Sequence, residues 1–279
     1  MNYHPAIRWV VALKPEAQPI INTLGLSLCK KDSEYPTYMD RSGEHWLVIS
    51  GIGKTNTANA VVYLNKQSTA PPWAAWINVG IAGSGLGNYG EIYMVDRISC
   101  EMSSNSLYPG VAVSTEIPRF SLLTVNQPKT DYHEQELIDM EGYSFYEAAN
   151  KFSCRELVAI LKIVSDGPNS SVRELTRKKI SALISNNVGK ILKIASSLSE
   201  LSAFEAQRLT IPDECHEVMK KWHFTVSQKH QLIYLVHRWK TAFSGTSLID
   251  TLGHCKNARS VIKYLSREID AIEIDWGQI

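Results

Sequence analysis

The segment Trp73-Ala-Ala-Trp-Ile-Asn-Val-Gly-Ile-Ala-Gly83 decides the fold. Trp73–Val79 reads as a strand that runs into a glycine-rich turn, Gly80 to Gly90. Short β-rich runs recur on both sides of it, separated by helical stretches, and that alternation is the signature of an α/β sheet. Upstream, Ile7–Leu13 is a strand, and Pro15 suits the first turn of a helix after it. His45–Ser50 is another strand; it ends at Gly51 and Gly53, and a helix from about Thr55 to Lys66 follows. Downstream, Glu91–Ile98 is a strand, and residues 99–121, with Pro109 and Pro118, read as a long loop holding at most one short strand. Leu137–Met140, a helix over Tyr143–Phe152 and a strand over Leu157–Val164 complete this part.

After Asp166-Gly-Pro-Asn169 the chain turns helical. Val172–Leu198 is amphipathic, with Leu175, Ile180, Leu183, Ile184, Val188 and Ile191 at helical spacing. Ser202-x-x-Glu205 and Thr225-x-x-Gln228 read as capping boxes that start shorter helices. Gly253 ends one helix and Asn257 caps the next. The expected division is an α/β domain over residues 1–200 and a small all-helical extension over 201–279.

Composition bounds the function classes. Of 279 residues, 44% are hydrophobic and 20% charged, which supports a packed core and argues against disorder. No uninterrupted apolar run exceeds five residues, so no membrane span is expected. The opening MNYHPAIRWV lacks the apolar stretch of a signal peptide. Cys29, Cys100, Cys154, Cys215 and Cys255 are odd in number and never in C-x-x-C spacing, which favours reduced thiols and a cytoplasmic location over disulfides or zinc. The net charge of +1 is uneven: residues 1–171 carry −4 and residues 172–279 carry +5. The basic side chains Lys220, Lys221, Lys229, Arg238 and Lys240 read as a solvated face, so nucleic acid is not the expected partner.

Four motifs fail on inspection. Gly53-Lys54-Thr55 lacks the glycine of a phosphate-binding loop five residues earlier, where Val48 stands. Gly85-x-Gly87-x-x-Gly90 is followed by a strand, whereas a pyrophosphate needs a helix N-terminus there. His216, His223, His230 and His237 recur every seven residues, but the cap at Thr225 interrupts any shared helix face. Leu248–Leu265 reads as a plain helical hairpin, with Val261 at the wrong offset for a DNA-reading helix–turn–helix.

What survives is a set of carboxylates just beyond strand ends, where open α/β sheets build their sites. Glu16 follows the first strand, Glu141 follows Leu137–Met140 and Asp166 follows Leu157–Val164. The glycines at Gly51/Gly53 and Gly80/Gly83 let a ligand approach the backbone closely.

Val11-Ala-Leu-Lys-Pro-Glu16, Ser50-Gly-Ile-Gly-Lys54, Asn78-Val-Gly-Ile-Ala-Gly83, Asp139-Met-Glu-Gly142 and Ile163-Val-Ser-Asp166 occur in the order and spacing of a known family. They resemble the purine nucleoside phosphorylase superfamily, especially its methylthioadenosine/S-adenosylhomocysteine nucleosidase branch. The resemblance covers roughly residues 6–200, with Val172–Leu198 matching the family's closing helix. It implies a three-layer sheet flanked by helices and a purine nucleosidase acting on adenosine-type, 5′-modified nucleosides. Asp166 is then the general acid on the purine N7, with Ser165 orienting it or contacting the base. Glu141 holds the ribose hydroxyls, Met140 packs under the sugar, Glu16 activates the attacking water and the backbone near Gly80 lines the ribosyl pocket.

Such an assignment is chemically coherent, because a purine departs well only when protonated, a transfer typically worth ~10²–10⁴ in rate. Acid and base flank the scissile bond as in an inverting glycosidase. The phosphorylase branch places a phosphate-clamping Arg where this chain has Asn78, which supplies neither the charge nor the fork, so hydrolysis is expected. Ile81 stands where the family has a small hydroxyl residue, Lys162 where the nucleosidases have Arg, and Asn126–Lys129 where a base-stacking segment is usual. No cofactor and no metal are implied. A homodimer is implied, and the extension has no counterpart in the minimal family, which leaves it open to a protein partner. The alternatives are a non-catalytic nucleoside-binding scaffold of the same fold and a phosphate-dependent phosphorylase.

Overall fold

A computed structural model describes residues 6–29, 33–110, 112–129, 132, 136–168, 174–243 and 245–272. Its first elements are β1 (Ile7–Val11), α1 (Lys14–Leu24), the short edge strands β2 (Ser27–Leu28) and β3 (Thr37–Met39), β4 (His45–Ile49) and α2 (Lys54–Gln67). Next come β5 (Ala75–Ser84), β6 (Ile92–Cys100), β7 (Ser103–Leu107), β8 (Arg119–Thr124), β9 (Leu137–Asp139), α3 (Gly142–Ala149) and β10 (Val158–Asp166). Helices close the chain: α4 (Arg177–Leu209), α5 (Asp213–Lys221), α6 (Val226–Ala242), α7 (Leu248–Thr251) and α8 (Ala258–Asp270).

β5 is the hinge of the sheet. Its N-terminal half pairs parallel with β1, Ile7 opposite Ala75 through Val10 opposite Asn78. Along its length it pairs parallel with β10, Lys162 opposite Gly80 and Asp166 opposite Gly83. Its C-terminal end pairs antiparallel with β9, Gly83 opposite Ile138. Because β10 pairs β6, β6 pairs β8 and β8 pairs β9, these strands close on themselves, while β1, β4, β3 and β2 continue the sheet outward.

Strand alternation sorts the apolar residues onto two faces. Ile7, Trp9 and Val11 of β1, with Ile77 and Val79 of β5 and Leu161 and Ile163 of β10, pack against Ile20 of α1 and Ile184, Ile191 and Leu198 of α4. The intervening Val10, Trp76 and Ile160 pack against Val61 and Leu64 of α2 and Phe145 and Ala149 of α3. Helices on both faces of a mixed sheet make the expected three-layer α/β architecture.

Three local expectations change. Gly80 and Gly83 lie inside β5, not in a turn, which is confined to the residues after Ser84. Residues 99–121 contain β7 and the start of β8, which the flanking prolines and serines obscure. The cap expected at Ser202 is internal to α4, because its buried hydroxyl donates to the Trp73 carbonyl (2.7 Å) and accepts from the Ala6 amide (3.3 Å). α4 begins at Arg177 and runs through position 200 to Leu209; the helix start expected at Val172 lies outside the described residues.

The chain forms two compact units, Met1–Gln207 and Arg208–Ile279. In the second, Cys215, Val218, Leu232, Val236, Trp239, Leu252, Val261 and Leu265 form a core of their own. Thr225 Oγ1 accepts from the Gln228 amide (3.4 Å) while Gln228 Oε1 accepts from the Thr225 amide (3.0 Å), so this capping box exists as read. Asn257 Oδ1 likewise accepts from the Ser260 amide (2.9 Å) and starts α8. All five cysteines are free, and no helix among the described residues is long and apolar enough to cross a membrane.

Candidate active site

Glu16 sits at the third position of α1, where free backbone N–H groups and the helix dipole favour a carboxylate. Its Oε2 accepts from the Leu13 amide at 2.8 Å, the helix entry, and its Oε1 from the Ile81 amide at 2.9 Å on β5. One side chain thus ties the first helix to the central strand. A Cβ on Gly80 would stand 3.2 Å from Glu16 Oε1 and 3.3 Å from Lys162 Nζ, so the glycine leaves room for this pair to approach over the strand.

Lys162 comes from the middle of β10 and is fully buried. Its Nζ lies 2.8 Å from Asp139 Oδ2, both side chains being only 1% exposed. Asp139 is held in turn: its Oδ1 accepts from Thr124 Oγ1 (2.7 Å) and its Oδ2 from the Gly142 amide (2.8 Å) that opens α3. Glu141, two residues on, accepts at Oε1 from the Gly53 amide (2.7 Å), just before α2. Three buried carboxylates therefore surround one ammonium. Burial pushes the Glu16 carboxyl up, against the Ile81 amide and the Lys162 charge. Burial, then the charge of Asp139, raises Glu141 to about 7. Burial opposes the charge on Lys162, but Asp139, Glu141 and Glu16 outweigh it and hold its pKa above the ordinary lysine value.

The other end is built from the last residues of β10. Ser165 Oγ donates to Asp166 Oδ1 and lies 3.4 Å from the Ala82 carbonyl. The Tyr132 phenol donates to Asp166 Oδ2. Burial, with the Asp166 carboxylate beside it, pushes the Tyr132 phenol well above its ordinary pKa. Gly83 is required here: a Cβ would meet Tyr132 Cε1 at 2.6 Å and Asp166 Oδ2 at 2.9 Å.

Both ends open on one cavity of about 250 Å³. Of the residues expected from sequence, Glu16, Ile81, Met140, Glu141, Ser165 and Asp166 line it. Gly80 and Lys162 do not; a Cβ on Gly80 would approach both Glu16 Oε1 and Lys162 Nζ. Asn78 is also off the wall, buried with its Nδ2 donating to the Val10 carbonyl at 2.9 Å. Leu13, Ile52, Val125, Ile138, Leu175 and Ile180 give the cavity apolar walls. A mostly apolar chamber with few convergent polar groups suits one small molecule. Sequence reasoning missed Asp139 and Tyr132. Asp139 shared a tripeptide with Met140 and Glu141, and the two-residue strand period could have flagged it as the partner of a buried cation. Tyr132 had no local signal, since only the tertiary fold brings it to Asp166.

No family model and no curated protein sequence matches the chain. Solved structures do. The chain is similar in fold to 5′-methylthioadenosine/S-adenosylhomocysteine nucleosidase of Campylobacter jejuni, at TM-score 0.56 and 14% identity, covering 69% of this chain and 99% of that one. It is similar to 5′-methylthioadenosine nucleosidase of Arabidopsis thaliana at TM-score 0.55 and 17% identity, over 70% and 96% of the two chains. It is also similar to a futalosine hydrolase mutant of Helicobacter pylori at TM-score 0.55 and 11% identity, over 69% and 99%. The chain has the nucleoside phosphorylase-like α/β fold, extended at its C-terminal end by helices.

Proposed function

We propose that this protein is a purine nucleosidase that hydrolyses the N-glycosidic bond of an adenosine-type, 5′-modified nucleoside. The observation that carries the reading is the convergence of carboxylates from three separate strand ends on one small cavity, in a fold shared with nucleosidases. Asp166 gives a proton to the purine N7 as the bond to C1′ lengthens, with Ser165 steering its carboxyl. Glu141 takes the ribose hydroxyls, Met140 packs under the sugar and the Gly80 backbone supports the ribosyl floor. Glu16, held by the Leu13 and Ile81 amides with the Lys162 charge nearby, accepts a proton from the water that attacks C1′. Each turnover moves one proton from Asp166 to the base and one from water to Glu16, and solvent exchange resets both. Ile52, Leu175 and Ile180 supply apolar surface for a 5′ substituent.

Water, and not phosphate, is the co-substrate in this reading. A phosphate dianion beside Glu16 and Glu141 would face two carboxylates, and the nearest cation, Lys162, is already engaged by Asp139. Asn78 is turned to the Val10 carbonyl. The lysine of the wall, Lys129, pairs with Glu101 at 3.0 Å. In this proposal residues 1–200 carry the chemistry, residues 201–279 engage a protein partner, and the enzyme works as a cytoplasmic homodimer. Adenine release from methylthioadenosine, measured with and without phosphate, tests the central point. Release at equal rates in both, lost in Asp166→Asn, is the expected result; strict phosphate dependence would sink the hydrolytic reading.

A further inference from the structure

Asp166 has only two carboxylate oxygens, and both are engaged. Ser165, its chain neighbour, holds Oδ1, and Tyr132, 34 residues away in sequence, holds Oδ2. The Tyr132 ring lies against the backbone of Gly83, in the place a Cβ there would need, and it forms part of the cavity wall beside Asp166. Asp166 Oδ2 can pair with the phenol or with a purine N7, but with only one of them at a time, and each presents a flat ring behind its polar atom. A base that puts a ring nitrogen on Asp166 Oδ2 therefore needs the position the phenol occupies.

We propose that Tyr132 is a specificity-determining residue of this cavity: its phenol holds the Asp166 oxygen that a nucleoside base must take, so binding exchanges one ring-borne hydrogen bond for another. The inference rests on the nucleosidase reading of Asp166 and deepens it. The exchange has two consequences. Affinity for the base is reduced by the bond surrendered, since a hydrogen bond to a charged group is among the stronger ones a protein makes. Selectivity is sharpened, because a ring with no nitrogen at the N7 position loses the Tyr132 bond and gains nothing in return. Ser165 on Oδ1 is untouched by the exchange and keeps the carboxyl in register.

Tyr132→Phe removes the donor and keeps the ring, so the fold is preserved. Titration calorimetry with adenine is the measurement, made on wild type, Tyr132→Phe, Asp166→Asn and the double variant. Tyr132→Phe should bind adenine about tenfold more tightly than wild type, and the gain should vanish in the Asp166→Asn background. Wild type should also show a tyrosine absorption change on adenine binding that Tyr132→Phe lacks, a signature that a purely structural role would not produce. Equal or weaker binding by Tyr132→Phe, or the same gain with Asp166→Asn present, overturns the inference while leaving the nucleosidase reading standing. If neither wild type nor Tyr132→Phe takes up adenine, both readings fall together.

Discussion

The two ends of the cavity hold their carboxylates by different means. At the end proposed for the sugar, Glu16 and Glu141 are fixed by backbone amides of Leu13, Ile81 and Gly53, and the buried Lys162–Asp139 pair backs them. At the end proposed for the base, Asp166 is held by two hydroxyls, Ser165 and Tyr132. An amide can only donate, whereas a hydroxyl rotates and can donate or accept. The amides favour the carboxylate forms of Glu16 and Glu141, yet burial outweighs them and raises both, whereas the hydroxyls at the other end can turn to suit either a donor or an acceptor. That difference suggests where variants should act on rate and where on stability.

The largest expected effect is on rate, at the base end. Asp166→Asn keeps the shape and removes the transferable proton, so adenine release should fall by ~10²–10⁴ with little change in the urea midpoint. An undiminished rate would break the comparison, because the hydroxyl-lined carboxyl would then not be the proton donor. At the sugar end the dominant effect should be on stability. Lys162→Met leaves Asp139 buried without its cation, which typically costs about 3–5 kcal/mol in unfolding free energy. Equal stability of this variant and wild type in urea would mean that the amides alone hold that end.

A smaller effect follows from pH. Glu141 is raised from 4.5 to about 7 in the folded protein. Between those values the folded state keeps a proton that the unfolded chain has released, so stability falls as pH rises from 4.5 towards 7 and is level above it. The slope from this group is on the order of 1 kcal/mol per pH unit. Glu16 is raised as well and adds the same sign. Glu141→Gln should flatten the dependence in urea titrations, and an unchanged slope in this variant would assign it elsewhere.

The legible part of the molecule was the part written in local pattern. β1, β4, β5, β6 and β10 were readable because apolar runs stop at glycine or proline, and the caps at Thr225 and Asn257 because a helix start is a local event. Glu16, Glu141 and Asp166 were nameable because each stands at or just beyond the end of a strand. β8 escaped because Arg119-Phe-Ser-Leu-Leu-Thr124 mixes polar and apolar residues without strict alternation. Ser202 misled because a hydroxyl followed three residues later by Glu205 looks the same whether it starts a helix or docks one. Tyr132 and the Asp139–Lys162 pair escaped for a deeper reason: their partners lie 34 and 23 residues away, on other strands or beside them. Contacts of that range are set by strand order, which no short motif encodes.

The smallest expected effect is at Ser165. Its hydroxyl donates to Asp166 Oδ1, and the nearby Ala82 carbonyl at 3.4 Å offers it a second, weaker partner. Ser165→Ala removes the steering group and leaves Tyr132 on the other oxygen, so Asp166 becomes free to rotate without losing its proton-transfer chemistry. The cost of one hydrogen bond to a charged group, spread between ground and transition states, should appear as a fall of about tenfold in kcat. KM should be little changed. Since an alanine at this buried strand position fills most of the serine volume, the unfolding midpoint should hold. If kcat stays constant and KM rises instead, Ser165 contacts the base directly, and the base end is then held by Tyr132 alone.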